Sequence, residues 1–117
     1  MKPHKSLLLL PLFLLAIFIA GCRARVITVH LTNTSAQPLS IIEVSYPGGT
    51  FGRNALAAGE SYRYNIKTLD DGTVKIQFTD AEGHTHKADG PAVKRSQEGS
   101  IEISLTQDSA SAKASLQ

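Results

Sequence analysis

The stretch Ser61-Tyr62-Arg63-Tyr64-Asn65-Ile66-Lys67-Thr68, followed shortly by Thr73-Val74-Lys75-Ile76-Gln77-Phe78-Thr79, decides the fold class. Both segments alternate with period two. Tyr62, Tyr64 and Ile66 share one face, and Arg63, Asn65 and Lys67 the other. Val74, Ile76 and Phe78 then alternate against Lys75, Gln77 and Thr79. Side chains on an extended chain point to opposite faces in turn, so each segment reads as a strand with one apolar face. Asp70-Asp71-Gly72 between them carries a hairpin signal.

The same grammar extends in both directions. Upstream, Val26 to Thr32 puts Ile27, Val29 and Leu31 on one face, and Asn33 to Pro38 is a turn cluster. Asn33-Thr34-Ser35 also matches a glycosylation acceptor, read here as turn chemistry. Leu39 to Tyr46 is a strand of mixed parity, with Ile42, Val44 and Tyr46 opposed to Leu39 and Ile41, which predicts a bulge or a strand buried on both sides. Pro47-Gly48-Gly49 ends it, and Thr50 to Glu60 reads as semi-regular, with Phe51 and Leu56 plugging the core. Gly48, Gly49 and Gly52 lack the lysine and helix of a phosphate loop and read as turn residues. Downstream, Asp80-Ala81-Glu82-Gly83 fits a type I turn. A short polar strand from His84 to Ala88 is expected to stop at Asp89-Gly90-Pro91. After a charged loop, Ser100 to Thr106 is the last strand, with Ile101, Ile103 and Leu105 inward. Residues 107–117, rich in Ser and Ala without apolar periodicity, are expected to be a disordered tail.

The N-terminal segment differs in kind. Met1 to Lys5 carries two lysines, and Ser6 to Ala20 is an uncharged apolar run interrupted by Pro11. About fifteen residues are too few to span a hydrocarbon core and suit the apolar region of a signal peptide. Ile19-Ala20-Gly21-Cys22 closes the run and resembles the lipobox of bacterial lipoproteins. The resemblance implies a signal helix over residues 1–21, cleavage between Gly21 and Cys22, and acylation of Cys22. Two or three acyl chains give durable anchoring where one would not. An uncleaved anchor and ordinary signal-peptidase cleavage are the competing readings. Arg23 stands where inner-membrane retention would call for Asp, so the resemblance favours the periplasmic face of the outer membrane. Arg23 and Arg25 are also placed to meet anionic headgroups.

This division removes two apparent clues. Twelve Lys and Arg oppose ten Asp and Glu, and Lys2 and Lys5 belong to the signal, so the domain is formally neutral and no nucleic-acid footprint survives. The resemblance also makes the one cysteine the acylation site, which leaves the expected domain without a disulfide.

Six to seven short strands at about ten-residue spacing predict an all-β protein, an antiparallel sandwich over residues 22–106. Leu56-Ala57-Ala58-Gly59-Glu60-Ser61 before a Tyr-rich strand resembles the "L-x-P-G-E-S" turn of bacterial Ig-like and fibronectin-like modules, with Ala58 in the proline position. The resemblance implies an Ig-like fold and leaves function to the site.

His84-Thr85-His86 is the chemically suggestive cluster. Two histidines at i and i+2 on a strand project from one face and suit Zn or Cu, with His30, Asp80, Glu82 or Asp89 as a further ligand. The competing reading is a polar edge strand. No nucleophile elbow or triad spacing is visible, so an enzyme is not expected, and no cofactor beyond the covalent lipid is implied. Arg63, Asn65 and Lys67, with Lys75 and Gln77, form the expected partner-facing surface. Tyr62 and Tyr64 are expected in the core, with a glycan- or peptide-binding strip as the competing reading. The functional expectation is a lipid-anchored cell-envelope protein whose sandwich binds an envelope protein or glycan, or serves a structural role. The alternatives are a metal-binding protein using His84 and His86, or an enzyme or inhibitor whose site is not visible in sequence.

Overall fold

Alternation of apolar residues produces eight strands in the computed structural model, which describes residues 24–117. The expectations for Gly21, Cys22, Arg23 and the signal helix lie outside the described residues. The strands are β1 (Ile27–Asn33), β2 (Leu39–Tyr46), β3 (Gly49–Leu56), β4 (Ser61–Ile66), β5 (Gly72–Thr79), β6 (Thr85–Val93), β7 (Gly99–Leu105) and β8 (Ala110–Leu116). They form two four-stranded sheets, β4-β1-β7-β8 and β3-β2-β5-β6. Neighbours are antiparallel except β1 and β7, which run parallel.

The core lies between the sheets. Ile27, Val29 and Leu31 of β1 and Ile101, Ile103 and Leu105 of β7 face Leu39, Ile42, Val44, Val74, Ile76 and Phe78 of β2 and β5, all buried. Burying one such side chain contributes about 1.5–3 kcal/mol, so this layer dominates the folding energy.

The strand order corrects the Ig-type expectation. An Ig sandwich keeps its first two strands in one sheet, whereas here β1 and β2 lie in opposite sheets. Asp70-Asp71-Gly72 is likewise a crossover between sheets and not a hairpin, because β4 and β5 do not pair. Period-two alternation reports a strand's apolar face but not which partner lies beside it.

Three further expectations change. Residues 49–56 are the regular strand β3, paired with β2 through Phe51↔Val44 and Leu56↔Leu39. β6 continues through Asp89-Gly90-Pro91 with a register shift against β5, as an edge strand permits, since its outer side needs no N–H from Pro91. Residues 110–116, expected in a disordered tail, form β8 along β7. Gly99, at φ +135°, admits β8 closely, because a Cβ there would collide with the Ser115 carbonyl.

The mixed parity of β2 resolves as the expected bulge. Its register against β5 slips between Ser40 and Glu43. Ile41 takes φ +50° and turns outward, 59% exposed, so Leu39 joins Ile42 and Val44 inside. A β-branched residue in the left-handed region is strained.

Asn33 ends β1 with its side chain fully buried. Its Nδ2 donates to the carbonyls of Gln37 (2.8 Å) and Leu56 (3.0 Å), and its Oδ1 accepts from the Ser35 amide (2.9 Å) and hydroxyl (2.7 Å). Its backbone N–H donates to Glu60 O, and its carbonyl accepts from the Gly59 N–H. One side chain thereby joins β1 to β3 of the other sheet.

Asn33→Ala is expected to lower the unfolding free energy by about 2–3 kcal/mol, because it strands buried backbone groups. Urea denaturation measures this, and Asn33→Asp should cost more by placing a carboxylate against two carbonyls. Ile41→Gly should raise stability by about 1 kcal/mol through relief of strain. An unchanged or lower urea midpoint would count against strain at Ile41.

Candidate functional site

The β5–β6 turn organises the side-chain cluster at the end of the sandwich away from Ala24. Asp80 opens the turn and Gly83 closes it, with Gly83 at φ +90° and its N–H donating to Asp80 O over 3.1 Å. An Asp at the first turn position turns its carboxylate back onto following amides. Here Asp80 Oδ1 accepts from the Glu82 and His84 N–H groups, both at 2.9 Å. Asp80 Oδ2 is left for His86, whose Nε2 lies 2.8 Å away. His84 Nδ1 approaches the same oxygen at 3.6 Å and Glu82 at 3.7 Å.

Register explains why His86 arrives there. It stands opposite Phe78 on the inner side of edge strand β6, and its ring stacks on Phe78 at 5.2 Å and 28°. The Asp80 side chain is 12% exposed and that of His86 24%. The hydrogen bond from His86, followed by that from the His84 amide, holds the Asp80 carboxyl down at about 2, against a smaller opposing effect of burial. With Asp80 ionised, His86 Nε2 is the donor. A shallow cleft beside this pair is lined by Gln37, Glu82, His84, Gln107 and Asp108.

His84, His86, Asp80 and Glu82 are thus brought together as the spacing suggested. His30 is not among them. It lies on the outer face of the other sheet, between Arg63 of β4 and Glu102 of β7. Asp89 is committed to Lys75 at 2.8 Å. Among the described residues, no three His, Cys, Asp or Glu side chains stand in an arrangement that could hold a metal ion. Both Asp80 oxygens are already engaged, and the geometry is that of a turn clipped shut by a charge-assisted hydrogen bond. No hydroxyl or thiol bonds to His86 among the described residues.

The expected partner-facing surface divides. Arg63 and Asn65 are exposed on β4, where Asn65 Oδ1 accepts the Thr28 hydroxyl at 2.9 Å, and Lys67 lies just beyond the strand. Lys75 and Gln77 belong to β5 in the other sheet, so the five residues do not share a face.

A feature assembled only in three dimensions lies along the open side between edge strands β3 and β4. Phe51 stacks on Tyr64 at 4.5 Å and 13°, with Tyr46 and Tyr62 each 6.5 Å from Phe51. Arg53 lies over Tyr62 at 4.4 Å and reaches Glu60 at 3.6 Å. Burial, and then the neighbouring Tyr64, raise the Tyr46 hydroxyl above its ordinary value. Tyr62 and Tyr64 do point toward the inner side, but at a sheet edge, so Tyr62 is half-buried and Tyr64 exposed. The sequence signal was present in the apolar parity of Tyr46, Phe51 and the two tyrosines; what was missing was the pairing that gathers three strands.

No family model and no curated protein matches this chain. Among solved structures, an NMR structure of a protein from Eubacterium rectale is similar, with a TM-score of 0.56 at 15% identity, covering 77% of this chain and 88% of that one. That likeness concerns the fold alone.

The depressed Asp80 carboxyl stabilises the folded state fully above its unfolded value of 3.8, and that contribution is lost as pH falls toward about 2. Urea midpoints measured from pH 5 to pH 2 should therefore fall less steeply for Asp80→Asn than for the unsubstituted protein. Parallel slopes would contradict the clip.

Proposed function

We propose that this chain is a lipid-anchored cell-envelope protein whose sandwich is a non-catalytic binding or structural module. The observation that carries the reading is the junction at the N-terminus. A charged start, an uncharged apolar run and Ile19-Ala20-Gly21-Cys22 lead, within a few residues, into β1, the strand held between β4 and β7. Cleavage before Cys22 and acylation of its thiol attach the domain to the bilayer through its best-supported strand. Arg23 favours the periplasmic face of the outer membrane. An envelope protein or glycan is then met at the aromatic seam or at the cleft beside Asp80. The functional analogy is with Ig-like modules, scaffolds whose loops and edges bind, although the strand order here is different.

The test is expression of the full chain in a bacterial host with labelled palmitate. Label is expected on the protein, and the N-terminal peptide should begin at an acylated Cys22 by mass spectrometry. Cys22→Ala should abolish both label and cleavage. An unmodified Cys22, or cleavage elsewhere, would overturn the proposal.

A further inference from the structure

The two ends of the sandwich differ in a way that bears on how an anchored domain sits. Ala24, Val26, the crossover at 67–71, the loop at 94–98 and Gln117 gather at one end, since Gly99 N–H donates to Val26 O and Gln117 N–H to Glu98 O. The two loops at this end are knitted into one platform. Buried Thr68 donates through Oγ1 to Lys94 O at 2.7 Å, and its carbonyl accepts the Ser96 N–H. Asp71 Oδ1 accepts the Arg95 N–H at 2.9 Å, and Leu69 N–H donates to Pro47 O at 2.8 Å. From this platform Leu69 projects 63% exposed, more than any other large hydrophobic side chain among the described residues. Arg25, Lys67, Lys94 and Arg95 lie at the same end, all exposed, and none has a carboxylate within ion-pair distance among the described residues. Asp70, Asp71 and Glu98 share this end, so the four cations outnumber its side-chain carboxylates by one, and Asp70 and Asp71 each hold one oxygen on a backbone N–H.

Three residues lie between Cys22 and Val26, four Cα-to-Cα steps with a reach of at most about 14 Å. We infer that the platform is a second membrane contact, in which Leu69 enters the headgroup region of an anionic bilayer while Arg25, Lys67, Lys94 and Arg95 meet its phosphates. The inference rests on the lipid anchor proposed above and adds an orientation to it. The platform then faces the bilayer and the Asp80 cleft lies at the far end. A lipid anchor alone leaves a domain free to tumble. A rigid apolar tip that shares its end with cations lacking ion-pair partners fixes that end, each cation favouring an anionic surface by roughly fivefold.

The test uses the full acylated chain in vesicles of phosphatidylglycerol and phosphatidylcholine containing a spin-labelled quencher lipid. Leu69→Cys and, at the far end, Glu82→Cys carry an environment-sensitive fluorophore, since acylated Cys22 has no free thiol. Both sites are exposed, so neither substitution disturbs the core. Quenching at residue 69 should exceed that at residue 82 several-fold, with a blue shift. It should drop at least twofold when Lys67→Glu and Lys94→Glu are added, or when phosphatidylglycerol is omitted. Equal, weak quenching at both sites in protein whose Cys22 is acylated by mass spectrometry overturns the platform contact and leaves the anchor standing. An unmodified Cys22 overturns both.

Discussion

The closed hydrogen-bond set of Asn33 is the constraint on which the sandwich depends. Two sheets that face each other through aliphatic side chains gain energy from burial but little lateral registration, because such packing is non-directional. Asn33 supplies direction. Its amide spans from the end of β1 to the carbonyl of Leu56 at the end of β3, and its oxygen shapes the loop that carries the chain to β2. Thr34 adds a bond from the same loop to Leu105 O at the end of β7. Inside a low-dielectric core these bonds are strong when complete and costly when broken. Among the described residues, no buried side-chain nitrogen or oxygen lacks a partner.

From that fixed corner the remaining arrangement follows. β1 is held between an antiparallel and a parallel neighbour, and the crossovers carry the chain between sheets at both ends. The two sides of the sandwich are closed differently. One is filled by Tyr46, Phe51, Tyr62 and Tyr64; along the other, edge strands β6 and β8 approach each other. β8 protects β7 with little apolar investment of its own. Its inner positions are Ala110, Ala112, Ala114 and Leu116, and Lys113 sits on its outer face, where a charge discourages pairing with a second chain. The strained turn of Ile41 has the same logic, since one outlier residue lets Leu39 and Ile42 both point inward.

The histidine cluster shows how a suggestive spacing can serve stability. Asp80 spends one oxygen on the turn amides and the other on His86, and the histidine lies flat on Phe78. The result fastens the hairpin at its tip.

The chain's sequence by itself determined where β1, β2, β4, β5 and β7 form and which of their residues face inward, because these depend on period-two alternation and on Gly, Asp and Pro chemistry within a few residues. The alternation of Ile27, Val29 and Leu31, the Asp80–Gly83 turn and the bulge in β2 were all legible. The Ile19-Ala20-Gly21-Cys22 run lies outside the described residues, and everything proposed about the anchor begins from its sequence. Strand partnership was not legible, because alternation is identical whichever neighbour a strand acquires; only the fold separates β1 from β2 and β4 from β5. β8 escaped notice because alanine carries little hydrophobic signal, and its strand is held by the exposed edge of β7. His30 could be grouped with His84 and His86 only while the sheets were unassigned. Local chemistry wrote the strands, and long-range pairing, paid for by the buried core, decided which of their side chains would ever meet.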